Sequence, residues 1–242
     1  LRDKDTIDME LQLKDLETVD KKIDKVKRSA KTGNKEAQAE EAVLLKIKSA
    51  LESGISVRAI EFDEESYDEY VKPLQCITDK PVMYVCNVDE NAAVSGNSYV
   101  DKVKEAVKDE HAEVLVLAVA TEADINELDD YEERQMCLQD IGLEEPGSSK
   151  LIRAAYKLLN QQTYFTAGVK EVRAWTVTIG STAPQAAGVI HTDFEKGFIR
   201  AEVIAFNDYI SFGSEAKVKE AGKMRVEGKN YTVNDGDVMH FL

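Results

Sequence analysis

Apolar positions fall in three textures along this chain. Between residues 5 and 53, Leu16, Val19, Ile23 and Val26 recur with 3-4-3 spacing, the seam of a helix that packs on another helix. Lys31-Thr32-Gly33-Asn34 interrupts the pattern with turn residues. Ala39, Ala42 and Leu45, with neighbouring Val43, Leu44 and Ile47, supply a second apolar face. The pattern predicts an antiparallel helical hairpin with a self-contained seam. It serves either as a plain packing element or as a projecting arm that touches a partner.

The second texture is continuous rather than periodic. Pro81 to Cys86 and Val114 to Val119 are unbroken apolar runs, and both read as buried strands. Around them the pattern predicts an acidic helix from about Glu64 to Leu74, ended near Pro73. Further helices are predicted at Tyr99 to Lys108 behind a capping Ser98, at Asp129 to Leu138, and at Ser149 to Leu159 behind Ser148 or Ser149. Buried strands separated by helices predict a parallel sheet covered on both faces. From Thr163 the chain alternates instead. Val172, Ala174, Thr176 and Thr178 point one way; Arg173, Trp175, Val177 and Ile179 point the other. A short helix at Pro184 to Ile190 and strands at Ile199 to Ala205 and Lys229 to Val233 follow. A last element, Asp237 to Leu242, enters through the turn Asn234-Asp235-Gly236. Strands around one helix predict a small α+β domain.

A length of 242 residues suits one large domain or two modest ones. The net charge of −15 excludes coating of nucleic acid by bulk charge, because phosphate contacts need clustered cations. A local patch is left open. Lys196, Arg200, Lys217, Lys219, Lys223, Arg225 and Lys229 lie near Phe194, Phe198 and Tyr231, a composition that suits RNA backbone with stacking. Interleaved Asp193, Glu195, Glu202, Glu220 and Glu227 suit an ordinary mixed surface equally well. Cys76, Cys86 and Cys137 are odd in number and widely spaced, so neither a disulfide framework nor a zinc site is expected. No apolar run reaches the ~18 residues of a membrane helix and no signal-peptide pattern is present, so no membrane partner and a cytoplasmic location are expected. His111, His191 and His240 are too scattered for a metal cluster. His191 reads either as a surface contact to a partner or as a structural histidine bonded to backbone. His240 reads as structural and His111 as a solvated helix-end residue. No catalytic nucleophile arrangement follows from spacing.

The chemistry sits where the first strand ends, in Asn87-Val88-Asp89-Glu90, an N-x-x-E loop. Alone it is a weak motif that reads equally as a solvated acidic turn. A phosphate-binding G-x-x-x-x-G-K-[ST] has no match between Leu1 and Leu242, so the chain is expected to begin downstream of such a loop.

Longer runs carry a resemblance. Thr163-Tyr164-Phe165-Thr166-Ala167-Gly168, Glu171-Val172-Arg173-Ala174-Trp175-Thr176, Ala183 through Val203, and Asp235-Gly236-Asp237-Val238-Met239-His240-Phe241 closely resemble the TGS domain that ends the Obg-like ATPases, the YchF family. Leu11 to Val19 resembles the start of that family's coiled-coil arm, Asn87 to Glu90 its base-recognition loop, and Ala118-Val119-Ala120-Thr121-Glu122-Ala123 its fifth nucleotide-binding motif. The resemblance implies an α/β fold: part of a P-loop NTPase domain with a Rossmann-like parallel sheet, an antiparallel coiled-coil insertion, and a C-terminal α+β β-grasp TGS domain. The divisions are 1–56 for the arm, 57–160 for the second half of the nucleotide domain, and 161–242 for the TGS domain.

The same resemblance implies a ribosome-associated, translation-factor-class ATPase. It prefers ATP over GTP, carries Mg²⁺ in the intact protein, and contacts the large subunit or its RNA rather than DNA. Asn87, Val88, Glu90, Ala118 and Val119 would meet the base; Asn braces neighbouring loops and the carboxylate accepts from the base edge. The family's commoner Ser-Ala at the fifth motif is Ala118-Val119 here, so a backbone contact is implied in place of a hydroxyl. Glu is one methylene longer than the GTPase Asp, and displacing the carboxylate removes the paired contact to guanine, a difference on the order of 1–3 kcal/mol. Catalytic and metal-binding residues would lie upstream, none within this chain, leaving it inactive alone. His191, Arg200, Lys223 and Arg225 are the candidate partner-facing residues. The rival functions are a pure RNA or ribosome-interaction module and a stress-regulatory scaffold.

Overall fold

A heptad seam needs a second seam to bury it, and the chain supplies one directly. Helix α1 (Arg2–Lys31) buries Gln12, Asp15, Val19, Ile23, Val26 and Ala30 along one stripe. Gly33, at φ 89°, turns the chain through the left-handed region that side chains avoid. Asn34 then caps α2 (Lys35–Glu52), its side chain accepting from the Ala37 N–H at 3.0 Å. Helix α2 buries Ala37, Leu44, Ile47 and Leu51. Ala39, Ala42 and Leu45, expected on the inner face, are exposed instead. They lie on the side of α2 away from the Ala37–Leu44–Ile47–Leu51 stripe, and charged pairs such as Lys22–Glu40 at 2.7 Å bridge the two helices.

The seam is not self-contained. Val57, Val71 and Cys76 share its core, with Phe62, Tyr67 and Leu74 packed against it. The buried Asp15 carboxylate accepts from the Ile77 and Thr78 N–H groups, both at 2.7 Å. Thr78 Oγ1 in turn accepts from the Val57 N–H at 3.1 Å. Gln12 donates to the Gly54 carbonyl at 3.0 Å. The hairpin base and the segment 54–79 therefore form one packed body, which corrects the expectation of a separable arm. Within that segment the acidic helix tightens and loosens as it runs: α3 (Glu64–Ser66), a π-helical turn at Tyr67–Val71 and a 3₁₀ turn at Lys72–Leu74.

Strand β1 (Met83–Asn87) pairs in parallel with β2 (Glu113–Leu117), Met83 opposite Glu113 and Asn87 opposite Leu117. Between them runs α4 (Ser98–Ala106), capped by Asn97 rather than Ser98: Asn97 Oδ1 accepts from the Tyr99 and Val100 N–H groups at 3.0 and 3.1 Å. The second apolar run stops as a strand at Leu117. Val119 already begins α5 (Val119–Asn126), so a residue expected at a strand end sits in a first helical turn. Helix α6 (Tyr131–Ile141) is capped by Asp130 and ended by left-handed Gly142, and α7 spans Gly147–Leu158. Ala93, Ala118, Ile125, Leu138 and Leu143 form the core behind the ends of the two strands.

Residues 1–110, 112–168 and 171–242 are described by the structure, a computed structural model; His111 lies outside them. The chain divides into two compact units, Leu1–Gly147 and Ser148–Leu242. The second unit begins earlier than the 160/161 division read from the sequence. Helix α7 carries the reason: Tyr156 Oη lies 2.9 Å from Thr176 Oγ1 of the C-terminal sheet.

That sheet has the order β4-β3-β7-β5-β6. Its strands are β3 (Gln161–Ala167), β4 (Val172–Thr178), β5 (Ala201–Ile204), β6 (Arg225–Glu227) and β7 (Val238–Phe241). β3 and β7 run parallel at the centre; the β3–β4, β5–β7 and β5–β6 pairs are antiparallel. Helix α8 (Ala183–Ile190) presents Ala183, Ala186 and Ala187 to the buried Tyr164, whose hydroxyl donates to the Ala186 carbonyl at 2.9 Å. Helices α9 (Thr192–Gly197), α10 (Phe206–Phe212) and α11 (Glu215–Glu220) complete the unit, where one helix was expected. Lys229 to Val233 is not a strand; it contributes a single bridge, Thr232 to Thr182, and the strand lies at Arg225–Glu227.

Candidate nucleotide-base site

Parallel strands that end side by side bring the loops after them together, and ligands of open α/β sheets gather at such carboxyl ends. Here the two loops are the N-x-x-E run after β1 and the Ala118-Val119 step after β2. Two hydrogen bonds join them. The Val88 N–H donates to the Leu117 carbonyl at 2.9 Å, which extends the ladder by one rung. The Val119 N–H donates to Asn87 Oδ1 at 3.2 Å. Asn87 thus braces the neighbouring loop, the role the motif implies for it.

The remaining residues of the loop divide by exposure. Asp89 is a cap, its Oδ1 accepting from the Ala92 N–H at 3.1 Å at the head of the 3₁₀ turn Glu90–Ala92. Glu90 stands in the first turn with an exposed carboxylate. Ala118 is buried, whereas Val119 is half exposed. Val88 packs against the cluster formed by Ala93, Ala118, Ile125, Leu138 and Leu143, which leaves only part of its side chain for a ligand. The rim open to solvent is therefore Asn87, Glu90 and Val119. A carboxylate acceptor beside an apolar side chain can take one edge and one face of a purine. The Val119 N–H is already donated to Asn87, so the implied backbone contact to a base requires either another N–H of the α5 first turn or a yielding Asn87. Alongside, a groove of about 400 Å³ runs between β1 and α4, lined by Tyr84, Val85, Asn87, Val88, Tyr99 and Val103 among others.

The partner-facing candidates lie apart from this loop, in the second unit. His191 is exposed at the corner between α8 and α9, and its Nδ1 accepts from the Asp193 N–H at 3.2 Å, so it caps α9. Arg200 is exposed just before β5 and pairs its backbone with Leu242. Lys223 is exposed in the turn after α11. Arg225 is exposed as well and takes part in a side-chain network. Its guanidinium donates to Tyr231 Oη at 3.0 Å and lies 3.7 Å from the buried Asp237 carboxylate, while Tyr231 donates to Asp237 at 2.6 Å. The Arg225 guanidinium is thus both open to solvent and engaged with Tyr231 and Asp237. Among the described residues no group of His, Cys, Asp and Glu is arranged to hold a metal ion, and no helix is long and apolar enough to cross a membrane.

The family model YchF-GTPase_C, described as a protein of unknown function (DUF933), matches residues 161–242. The ribosome-binding ATPase YchF of Haemophilus influenzae is 53% identical over 241 residues, covering 100% of this chain and 66% of the relative. That of Bacillus subtilis is 50% identical over 241 residues, covering 99% and 65%. The solved structure of the Schizosaccharomyces pombe YchF GTPase is similar at a TM-score of 0.84 and 31% identity, over 100% of this chain and 65% of that one. The chain thus spans about two thirds of the length of the relatives it matches. The fission-yeast protein is named a GTPase and the two bacterial proteins ATPases.

Proposed function

The chain belongs to the YchF family, and on that premise we propose that it supplies the base-recognition half of a nucleotide site in a ribosome-associated P-loop ATPase. The observation that carries this is the brace between Asn87 and Val119, reinforced by the Val88–Leu117 bond. Together they hold two loops, distant in sequence, at the same end of a parallel sheet.

In this reading Asn87 fixes the loops and Glu90 accepts from the adenine edge. Val88 and Val119 give apolar contact, and Ala118 sets the start of α5. ATP is preferred and GTP binds more weakly, because the Glu90 carboxylate does not reproduce the two-point contact of a shorter acid with guanine. The chemistry on the triphosphate, with its Mg²⁺, requires a phosphate loop with the G-x-x-x-x-G-K-[ST] pattern, which residues 1–242 do not contain. The 242 residues alone are expected to hydrolyse no ATP.

The helical hairpin acts as the family's coiled-coil arm, and residues 161–242 as a TGS domain of β-grasp topology, supported by the central parallel β3–β7 pair. Ribosome contact, on the large subunit or its RNA, runs through the second unit, with Arg200, Lys223 and Arg225 as its exposed cations and His191 at its rim. The protein works in the cytoplasm.

The test is competition between ATP and GTP for the chain extended to full family length. ATP should win, and Glu90→Asp should move the ratio toward GTP. An unchanged ratio would remove Glu90 from base recognition.

A further inference from the structure

The base loops are gripped from a second side. Leu117, whose carbonyl receives Val88, turns its side chain toward Gly147: a Cβ on Gly147 would stand 2.6 Å from Leu117 Cδ2 and 2.9 Å from Glu122 Oε1. Real Cβ atoms do not approach that closely, so any side chain at 147 requires the ends of the Leu117 and Glu122 side chains to shift. Glu122 Oε1 meanwhile accepts from the Gly147 N–H at 2.6 Å, and the Glu122 N–H donates to the Ala118 carbonyl at 3.0 Å. The step Leu117–Ala118–Val119 is therefore held by Asn87 and Val88 on one side and by Gly147, through Leu117 and Glu122, on the other.

We propose that Gly147 and Glu122 are positioning residues for recognition of the nucleotide base; this rests on the reading of Asn87 to Glu90 and Ala118-Val119 as the base site. Neither residue touches the base. They fix the register of the first turn of α5 against β1, and so the spacing between Val119 and Glu90. A purine inserted between those two elements reads that spacing, whereas a triphosphate lying elsewhere does not.

The experiment uses the chain at full family length and two ligands, ATP and the base-free ribose 5-triphosphate. In Gly147→Ala the added methyl displaces the Leu117 side chain or disturbs the bond that the residue-147 N–H donates to Glu122. Affinity for ATP should fall about tenfold, the equivalent of one misplaced charge-assisted hydrogen bond, while ribose 5-triphosphate should stay within about twofold. Glu122→Gln keeps the shape and a neutral acceptor, so it decides the matter if Gly147→Ala fails to fold; its ATP loss should be about threefold, again with the base-free ligand unaffected. Equal weakening of both ligands would make the clamp a general structural element and overturn the proposal, as would unchanged ATP affinity in the Glu122→Gln protein. Failure of the unaltered protein to prefer ATP over ribose 5-triphosphate is a distinct result: it would overturn the base-site reading itself.

Discussion

Replacing Asp15 by alanine should unfasten the hairpin from the rest of the first unit. The Asp15 carboxylate is buried and accepts from two backbone N–H groups, those of Ile77 and Thr78, at 2.7 Å each. Hydrogen bonds to a charged acceptor contribute about 1.5–3 kcal/mol each, and a buried donor left unpaired forfeits most of that. After subtracting the desolvation of the carboxylate itself, the expected loss is about 3 kcal/mol. With a urea slope of about 2 kcal/mol per molar, the midpoint of the first unit should fall by about 1.5 M. Asp15→Asn keeps one acceptor but turns an amide toward the other N–H, so about 2 kcal/mol should go.

Two signals separate the units. The single tryptophan, Trp175, lies in the second unit and should keep its fluorescence midpoint. Cys76 lies in the first, packed into the hairpin core, and burial pushes its thiol up to about 12, with Asp15 and Asp79 adding to the effect. Alkylation of Cys76 at mildly alkaline pH should therefore track unfolding of the first unit and nothing else. A midpoint shift below about 0.3 M in Asp15→Ala, with Cys76 still protected, would refute the reasoning.

Three further outcomes follow from the same packing. Replacing residues 11–51 by a short Gly/Ser linker should abolish cooperative unfolding of the first unit, because Val57, Val71 and Cys76 lose the surface they are buried against; a sharp far-UV transition in the shortened protein would contradict this. Burial pushes the Glu110 carboxyl up, but hydrogen bonds from Lys4 and Tyr84 outweigh it and leave the group below its ordinary 4.5. Its contribution is thus fully present above about pH 4.5 and fades as pH drops through the lower folded value, and Glu110→Gln should flatten the acid limb of a stability–pH curve. Arg225→Glu should destabilise the second unit by breaking the Tyr231–Asp237 network, whereas Arg200→Glu with Lys223→Glu should leave stability unchanged and weaken co-sedimentation with ribosomes more at low salt than at high.

Strong periodicity and unbroken apolar runs were legible in the sequence. Helix α1, the two parallel strands and helix α8 stand within a few residues of where their patterns put them. Sequence patterning was blind where distant segments decide. Leu45 looks as apolar as Leu44, yet only the position of α1 makes one buried and the other exposed. The strand at Arg225–Glu227 is three residues long and mostly exposed, so it has no internal pattern; β5 alone makes it a strand. Asp15 gave no sign of its role, since its partners lie more than sixty residues away. In the candidate loop the motif singled out Asn87 and Glu90, but the bond that Asn87 accepts from the Val119 N–H and the closeness of Gly147 to Leu117 belong to the fold.

The central claim is that a purine lies between the loop at Asn87–Glu90 and the first turn of α5. Photolysis of 8-azido-ATP bound to the chain at full family length, followed by mass-spectrometric mapping, reads the position of the base directly. Adducts should fall on peptides containing residues 87–92 and 117–122, and excess ATP should suppress them more effectively than GTP. ATP-sensitive adducts confined to residues 148–242, or an absence of adducts at both loops under saturating nucleotide, would contradict the account.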